Sequence, residues 1–507
     1  MTLRGRTRWE YHPVHDDRED EVLDELSEEQ LAAGPMPDTP EAGDEPIEPD
    51  PEEERRAQQE LLRVEAELNQ RWGETKIAPT LKRITALLNM MGEPHATYPL
   101  IQIAGTNGKG SVARMVDALL TRMGLRVGRY TSPHLQVVTE RISVDGSPVS
   151  ASTYVDAYAD LLPFVSMVDE ARAADAPRMT KFEVLTALAF SIFADAPVEV
   201  AVLETGMGGT WDATNVGEAQ VAAITPISRD HVEYLGSDVA SIAKEKAGVI
   251  GKDGVAVLAE QDPEVLHVLM ERAVEVDATV ARAGHEFGVL EREKGVGGQQ
   301  LKLQGLGGVY EDVFLPVHGE HQAANAALAL ATVEAFFGAG PDRQLVVEAV
   351  REAFADLALP GRLEPVRGAP TVLLDAAHNP HSAQALAATV DTEFAFRRLV
   401  AVIGVLDDKD AHGILEAIEP VVSDVVVTRN ASPRALEPEA LAEIAIPIFG
   451  EDRVHVHPRL DLAVESAVAL VEHTEDPEEP LAGGGVLITG SVVTAGEARA
   501  LFGKDPA

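Results

Sequence analysis

The stretch Leu100-Ile101-Gln102-Ile103-Ala104-Gly105-Thr106-Asn107-Gly108-Lys109-Gly110-Ser111 decides the fold of this chain. Its first five residues are an apolar run that reads as a buried strand. Beyond Ser111, residues Val112 to Met123 read as a helix stopped by Gly124. A strand, a Gly-rich turn and a helix start in that order form a cradle for phosphate. Backbone N–H groups face the anion, Lys109 adds a positive charge and the Ser111 hydroxyl can reach a metal ion. The spacing departs from the common phosphate loop: Gly110 separates the lysine from the serine, and Ile103 stands where that pattern has its first glycine. A chance turn would account for the glycines, but not for the lysine, the hydroxyl and the flanking elements together.

Outward from this stretch, strand and helix alternate. Val198–Glu204, Val221–Thr225 and Gly254–Glu260 read as strands; Ser111–Met123, Thr180–Ala194 and Ser237–Ala247 read as helices. Alternation of this kind predicts a mostly parallel sheet with helices on both faces. A second α/β set begins near residue 371, with strands at Thr371–Ala376, Leu399–Val405, Asp424–Thr428 and Val486–Thr489. The turn Leu359-Pro360-Gly361-Arg362 is the expected hinge between the two. Before the first set, Glu52–Trp72 reads as a helix, and Leu81, Ile84, Leu87 and Leu88 mark a short amphipathic one. The expected division is therefore an acidic extension over 1–55, a first domain over 56–358 and a second over 359–507.

The chain has 507 residues, 45% hydrophobic, enough for two domains with ample cores. It contains no apolar run of the ~18 residues that signal a membrane span. Nor does it carry an apolar signal core at the N-terminus, so a cytoplasmic location is expected. Zero cysteines exclude disulfides, thiolate metal sites and cysteine nucleophiles. The net charge is −42, of which residues 1–60 carry −14 (20 acidic, 6 basic) and the other 447 carry −28. Such a surface disfavours nucleic-acid binding. Residues 1–55 are acidic, proline-rich and too poor in apolar side chains to build a core, so they are expected to be disordered.

Ligands of open α/β sheets gather at the carboxyl ends of the strands. Three polar motifs fall there. Glu204-Thr205-Gly206-Met207-Gly208-Gly209 sets a carboxylate at a strand end, which suits Mg²⁺ and equally suits a simple strand-end or capping acid. Asp212-Ala213-Thr214-Asn215 follows as a polar turn that can bind substrate. Asp230-His231 offers an imidazole to a metal, although a lone histidine is more often structural. Asp375-Ala376-Ala377-His378-Asn379-Pro380 closes an apolar strand with an acid, an imidazole and a proline placed to start a helix. A helix start needs only one cap, so the additional groups point to function.

These motifs occur in order with Thr131-Ser132-Pro133-His134-Leu135, Lys181-Phe182-Glu183, Glu245-Lys246-Ala247-Gly248 and Pro360-Gly361-Arg362. The ordered set, from about residue 75 to residue 500, resembles the folylpolyglutamate synthase/dihydrofolate synthase family of the Mur ligase superfamily. The resemblance implies an α/β protein with an N-terminal phosphate-loop ATPase domain and a smaller Rossmann-like C-terminal domain. It implies ATP-dependent ligation of L-glutamate to dihydropteroate and to reduced folates through an acyl phosphate, by a monomer. It further implies that Gly105 to Ser111 hold ATP, with Lys109 on the transferring phosphate. Ser111, Glu204 and His231 would hold Mg²⁺, and Lys246 would carry a CO₂-derived carbamate beside a second metal. Asn325 would contact adenine; Arg362, Asp375 and His378 would reach ATP or glutamate. Ser132 and Ser491 would meet substrate, as would Phe182 and Asp212 at the pterin.

Two departures stand out. Thr210-Trp211 follow the Gly-Gly where the family often has arginine, and Gly490-Ser491-Val492-Val493-Thr494 matches the family's terminal motif loosely. Two other readings remain open: a Mur-type ligase of UDP-linked precursors, and a non-catalytic ATP-binding interaction protein.

Overall fold

The computed structural model describes residues 51–73, 78–230, 232–236, 238–338, 340, 343–473 and 483–506. The first sheet contains β1 (Leu100–Ala104), β2 (Val127–Tyr130), β3 (Ile142–Val144), β4 (Ser147–Pro148), β5 (Val200–Glu204), β6 (Val221–Ile224), β7 (Val255–Leu258) and β8 (Thr279–Arg282). Their spatial order is β4-β3-β2-β5-β1-β6-β7-β8. From β2 to β8 the pairing is parallel, and β3 and β4 add an antiparallel edge. Strand β1 is buried at all five positions; four are apolar, and the fifth, Gln102, donates its side-chain amide to the Thr214 hydroxyl at 2.9 Å. It lies between β5 and β6, so Gly105, Glu204 and Thr225 emerge side by side.

Helices cover both faces. On one, Lys109–Arg122 packs Val112, Met115 and Leu119 against Leu328 and Leu330 of Glu320–Phe336. On the other, Lys181–Asp195 packs with Ala151–Ala171, Lys82–Met90 and Pro51–Leu68. The last helix begins inside the stretch expected to be tail. Pro51 occupies its first turn with Glu52, Glu53 and Glu54, residue types that favour a helix N-terminus, and Leu61, Val64 and Leu68 anchor it. The disorder expected for 51–55 is therefore corrected; residues 1–50 lie outside the described residues.

A three-stranded antiparallel sheet of β9 (Gly288–Gly295), β10 (Gly298–Gln304) and β11 (Val309–Leu315) follows. It shares a core with the helix Glu320–Phe336 through Leu301, Leu303, Tyr310 and Val313. The sequence reading did not anticipate it.

The C-terminal sheet has β12 (Glu364–Gly368), β13 (Thr371–Leu374), β14 (Arg398–Ile403), β15 (Asp424–Val427), β16 (Val454–Val456) and β17 (Gly484–Thr489). Its order is β12-β13-β17-β14-β15-β16, parallel except at β12. The expected hinge lies between the helix Val347–Ala355 and β12, and Gly361 takes the φ of +65° that favours glycine. Among the described residues no helix is long and apolar enough to cross a membrane.

Candidate active site

The phosphate loop is held by close backbone approach. Gly105 has φ +137°, and a β-carbon there would fall 1.9 Å from Thr225 Oγ1; Gly108 has φ +89°, and a β-carbon there would fall 2.8 Å from Asn325 Oδ1. The Thr106 amide donates to the Pro226 carbonyl at 3.0 Å, and its hydroxyl donates to the Ser228 carbonyl at 3.0 Å. The helix starts at Lys109, whose Nζ arches back to donate to the Thr106 carbonyl at 3.0 Å. Its free N-terminal amides therefore open at the loop.

A cavity of about 370 Å³ runs along this loop. It brings together Gly105 to Ser111, Ser132, Glu204, Lys246, Asn325, Arg362, Asp375 and His378, residues that the sequence spreads over both domains. A second cavity of about 250 Å³ holds Phe182, Asp212 and Ser491, with Arg83, Glu183 and Lys409. The two share a wall made by Ser132, Pro133, Gly206, Met207, His378 and Val492.

Glu204 ends β5 and is buried. Its Oε2 accepts the Ser132 amide at 3.1 Å. Burial raises its pKa, opposed by the Lys109 charge, the Ser132 hydrogen bond, Arg362 and Arg129. Gly110 lets the helix start approach this carboxylate: a β-carbon there would lie 3.5 Å from Glu204 Oε2. Among the described residues no group of three or more His, Asp or Glu gathers around a metal position. One carboxylate and the Ser111 hydroxyl beside a phosphate cradle nevertheless fit Mg²⁺, which keeps waters and substrate oxygens as its other ligands. His231, assigned to the metal from sequence, lies outside the described residues.

Lys246 is buried, and its Nζ donates to the Gly105 carbonyl at 2.6 Å. Burial lowers its pKa to about 7, helped by the Lys109 charge and opposed by Asp230 and Asp212. Beside it, Thr210 donates its amide (3.0 Å) and hydroxyl (3.2 Å) to the Glu245 carbonyl. The residue standing where the family often has arginine thus pins the end of the Val239–Ala247 helix.

The C-terminal residues differ in how much of their capacity is spent. Asp375 accepts the Leu363 amide at 3.0 Å and the Ala377 amide at 2.8 Å, one on each oxygen. Burial raises its pKa against the pull of Arg362. His378 Nδ1 donates to the Ala376 carbonyl at 2.9 Å, so the neutral ring carries its lone pair on Nε2. Burial and then Lys409 lower its pKa. Ser491 caps the helix Val492–Leu501: its hydroxyl accepts the Thr494 amide at 3.0 Å and the Asn430 side-chain amide at 3.1 Å. Asp212 is likewise engaged, taking the Met207 amide (2.8 Å), the Thr214 amide (3.0 Å) and the Thr214 hydroxyl (2.6 Å).

Three features escaped the sequence reading. Arg83 Nε binds both Glu183 oxygens, at 3.0 and 3.1 Å, on the wall of the second cavity. Lys409 reaches Asp230 at 3.2 Å. Asn107 pairs with Asn379 across the domains. Only Lys409 had a local signal, since Asp407-Asp408-Lys409-Asp410 closely follows the apolar strand β14.

Comparison with known proteins agrees with this geometry. The Mur ligase middle domain matches residues 103–333, and the Mur ligase glutamate ligase domain matches residues 361–492. The chain is 58% identical over 460 residues to dihydrofolate synthase/folylpolyglutamate synthase of Mycobacterium tuberculosis, covering 88% of this chain and 94% of the relative. It is 33% identical over 363 residues to the Escherichia coli protein of the same name, covering 72% and 80%. The solved M. tuberculosis folylpolyglutamate synthase complexed with ADP superposes with a TM-score of 0.85 at 57% identity, covering 89% of this chain and 100% of that one. E. coli FolC in complex with DHPP and ADP superposes with a TM-score of 0.73 at 30% identity, covering 84% and 94%. A phosphate cradle facing a second cavity across one wall, in a chain alike to these proteins along most of its length, places it in the dihydrofolate synthase/folylpolyglutamate synthase family of Mur ligases.

Proposed function

We propose that this chain joins the amine of L-glutamate to the carboxylate of dihydropteroate, and to the γ-carboxylate of a reduced folate, with cleavage of ATP to ADP and phosphate. The observation that carries the reading is the wall shared by the two cavities, where a carboxylate bound in one can meet the γ-phosphate held in the other. The names of the relatives, and the ADP and DHPP bound in the E. coli structure, support both occupants.

In this reading a carboxylate oxygen attacks the γ-phosphorus and the bond to ADP breaks, giving an acyl phosphate. The problem is one of position and charge. Lys109 and the helix start offset the phosphoryl charge. Ser111 and Glu204 would hold Mg²⁺, which when bound neutralises phosphate oxygens. The glutamate amine then attacks the acyl carbon and the C–O bond to phosphate breaks. His378, with its neutral Nε2, would take the amine proton; Asp375, with both oxygens already accepting amides, would hold the turn. Phe182 and the Arg83–Glu183 pair would meet the pterin, Asn325 the adenine, and Arg362, Ser132 and Ser491 the charged ends of substrate.

Lys246 has its pKa lowered to about 7, so much of it is the neutral amine, the form that adds CO₂. A carbamate there, which would offer an oxygen ligand to a second Mg²⁺, belongs to the same proposal; an intact mass lacking one added CO₂, with full activity in Lys246→Ala, would remove it. The reading also keeps the expected cytoplasmic monomer.

The test is ADP release with ATP, Mg²⁺ and L-glutamate, supplying dihydropteroate and tetrahydrofolate separately and weighing the products. The expected result is one glutamate added to dihydropteroate and one or more to tetrahydrofolate. ATP turnover without amide from either acceptor would contradict the reading, and amide formed only on a UDP-linked acceptor would establish its rival.

A further inference from the structure

Asn107 lies in the phosphate loop, and Asn379 caps the C-terminal helix Pro380–Glu393. Their side-chain amides are reciprocally paired. Asn379 Nδ2 donates to Asn107 Oδ1 at 3.0 Å, and Asn107 Nδ2 donates to Asn379 Oδ1 at 3.3 Å. Asn379 Nδ2 also donates to Asp230 Oδ2 at 3.2 Å, and Lys409 Nζ donates to the other oxygen of Asp230 at 3.2 Å. His381 Nδ1 accepts from Asn107 Nδ2 at 2.9 Å. Asn107 and Asp230 belong to the first domain; Asn379, His381 and Lys409 belong to the second. Asn379 is buried, and the Asp230 and Lys409 side chains are each 12% exposed, so these polar bridges work in a water-poor setting where geometry matters.

The network also stands at a boundary. Asp230 and His381 line the nucleotide cavity on one side. On the other, with Asn379 and Lys409, they line an open cleft that includes Arg229, Tyr234 and Gln384. Asn107 lines only the first of these and Asn379 only the second, so the paired amides lie between the phosphate loop and the cleft.

We propose that Asn379 is a coupling residue: through Asn107 and Asp230 it ties the closed C-terminal domain to the phosphate loop, so that the acyl phosphate meets the glutamate amine and not water. Attack by the amine breaks the C–O bond and leaves an amide and phosphate. Attack by water breaks the same bond, returns the carboxylate and wastes the ATP. Asn379 is thus a positioning residue that touches no reacting atom, and the inference rests on the ligase reading above.

The competing role is plain helix capping, since Asn379 Oδ1 also accepts the Ser382 amide at 2.9 Å. Asn379→Ser separates the two, because serine caps as well as asparagine but lacks the amide that bridges the domains. The readout is ADP released per amide formed. Losing two or three bridging hydrogen bonds is expected to raise that ratio about five- to tenfold. Asn379→Asp, which keeps a cap and sets a carboxylate against Asp230, is expected to raise it further. Asn107→Ser removes the Asn107–Asn379 bonds without touching the cap but leaves Asn379 bonded to Asp230, so it is expected to raise the ratio in the same direction by less than Asn379→Ser does; it decides the matter if the Asn379 variants fold poorly. A ratio unchanged from wild type in the folded variants, whatever the rate, overturns the proposal. Wild-type protein that forms no amide overturns the ligase reading instead.

Discussion

Glu204 and Asp375 occupy like places in the two domains. Each is a carboxylate at the carboxyl end of a parallel strand, β5 or β13, and each has its pKa raised by burial. They differ in what claims their oxygens. Asp375 accepts a backbone amide on each oxygen and so stitches the Leu363 and Ala377 backbone together. Glu204 takes one backbone amide, from Ser132, and faces the helix start at Gly110 across a gap without a side chain. A strand-end position tells where a ligand binds; the amides around a carboxylate tell whether it serves the ligand or the loop.

The largest expected effect follows from that contrast. Glu204→Gln keeps the shape and removes the charge, and kcat is expected to fall about a hundred- to a thousandfold, the scale of losing one group that stabilises developing charge. Its unfolding midpoint in urea should hold or rise, because a buried charge has gone. Asp375→Asn should behave in the opposite manner. Its amide nitrogen must face the N–H of Leu363 or Ala377, and leaving such a donor unpaired costs about 1–3 kcal/mol of stability. Urea unfolding and steady-state kinetics on the two variants would break the comparison if Asp375→Asn lost as much kcat as Glu204→Gln at unchanged stability.

The next prediction concerns Lys246, buried on the Val239–Ala247 helix with its amine on the Gly105 carbonyl. Its folded pKa is lowered from 10.5 to about 7. Between those values the unfolded chain binds the proton and the folded chain does not, so stability rises with pH across that window. The penalty of the buried charge is therefore full below about pH 7 and relieved by about 10.5. In CO₂-free buffer, where the amine is unmodified, Lys246→Met should gain stability over the parent at pH 6 and lose that advantage by pH 10, as read from urea midpoints. An advantage that does not change with pH would mean that the amine is not held in its neutral form.

The smallest effect is expected at Thr210. Thr210→Val removes the hydroxyl donation to the Glu245 carbonyl while the backbone amide at 3.0 Å still holds it. Stability should drop by about 0.5–1.5 kcal/mol, the usual worth of one hydrogen bond, with little change in kcat. A kcat loss approaching that of Glu204→Gln would make Thr210 a substrate contact.

The sequence showed the parallel cores well, because strands such as Leu100–Ala104 and Val221–Ile224 are buried on both faces and are apolar at nearly every position. It missed the antiparallel sheet over 288–315. There only one face is covered, and the charged stretch Glu291-Arg292-Glu293-Lys294 hides the alternation that is clear in β10. Gly105 to Ser111 declared itself because chemistry and backbone lie in one continuous run. Arg83, Lys409 and the Asn107–Asn379 pair did not, because each gains its meaning from a partner 100 to 272 residues away or on the other domain. The first helix reads from Glu52, one residue after its start at Pro51, but the expected disordered extension runs over its first turn, because that turn is acidic like the tail although its three glutamates are good helix-start residues.

The central claim is that a carboxylate in the second cavity takes the γ-phosphoryl group across the shared wall. Its most direct test uses tetrahydrofolate labelled with ¹⁸O in its γ-carboxylate, turned over with ATP, Mg²⁺ and L-glutamate, with the released phosphate analysed by mass. The account predicts that one labelled oxygen passes from the carboxylate to the phosphate for each amide formed. Amide formation with unlabelled phosphate would contradict it.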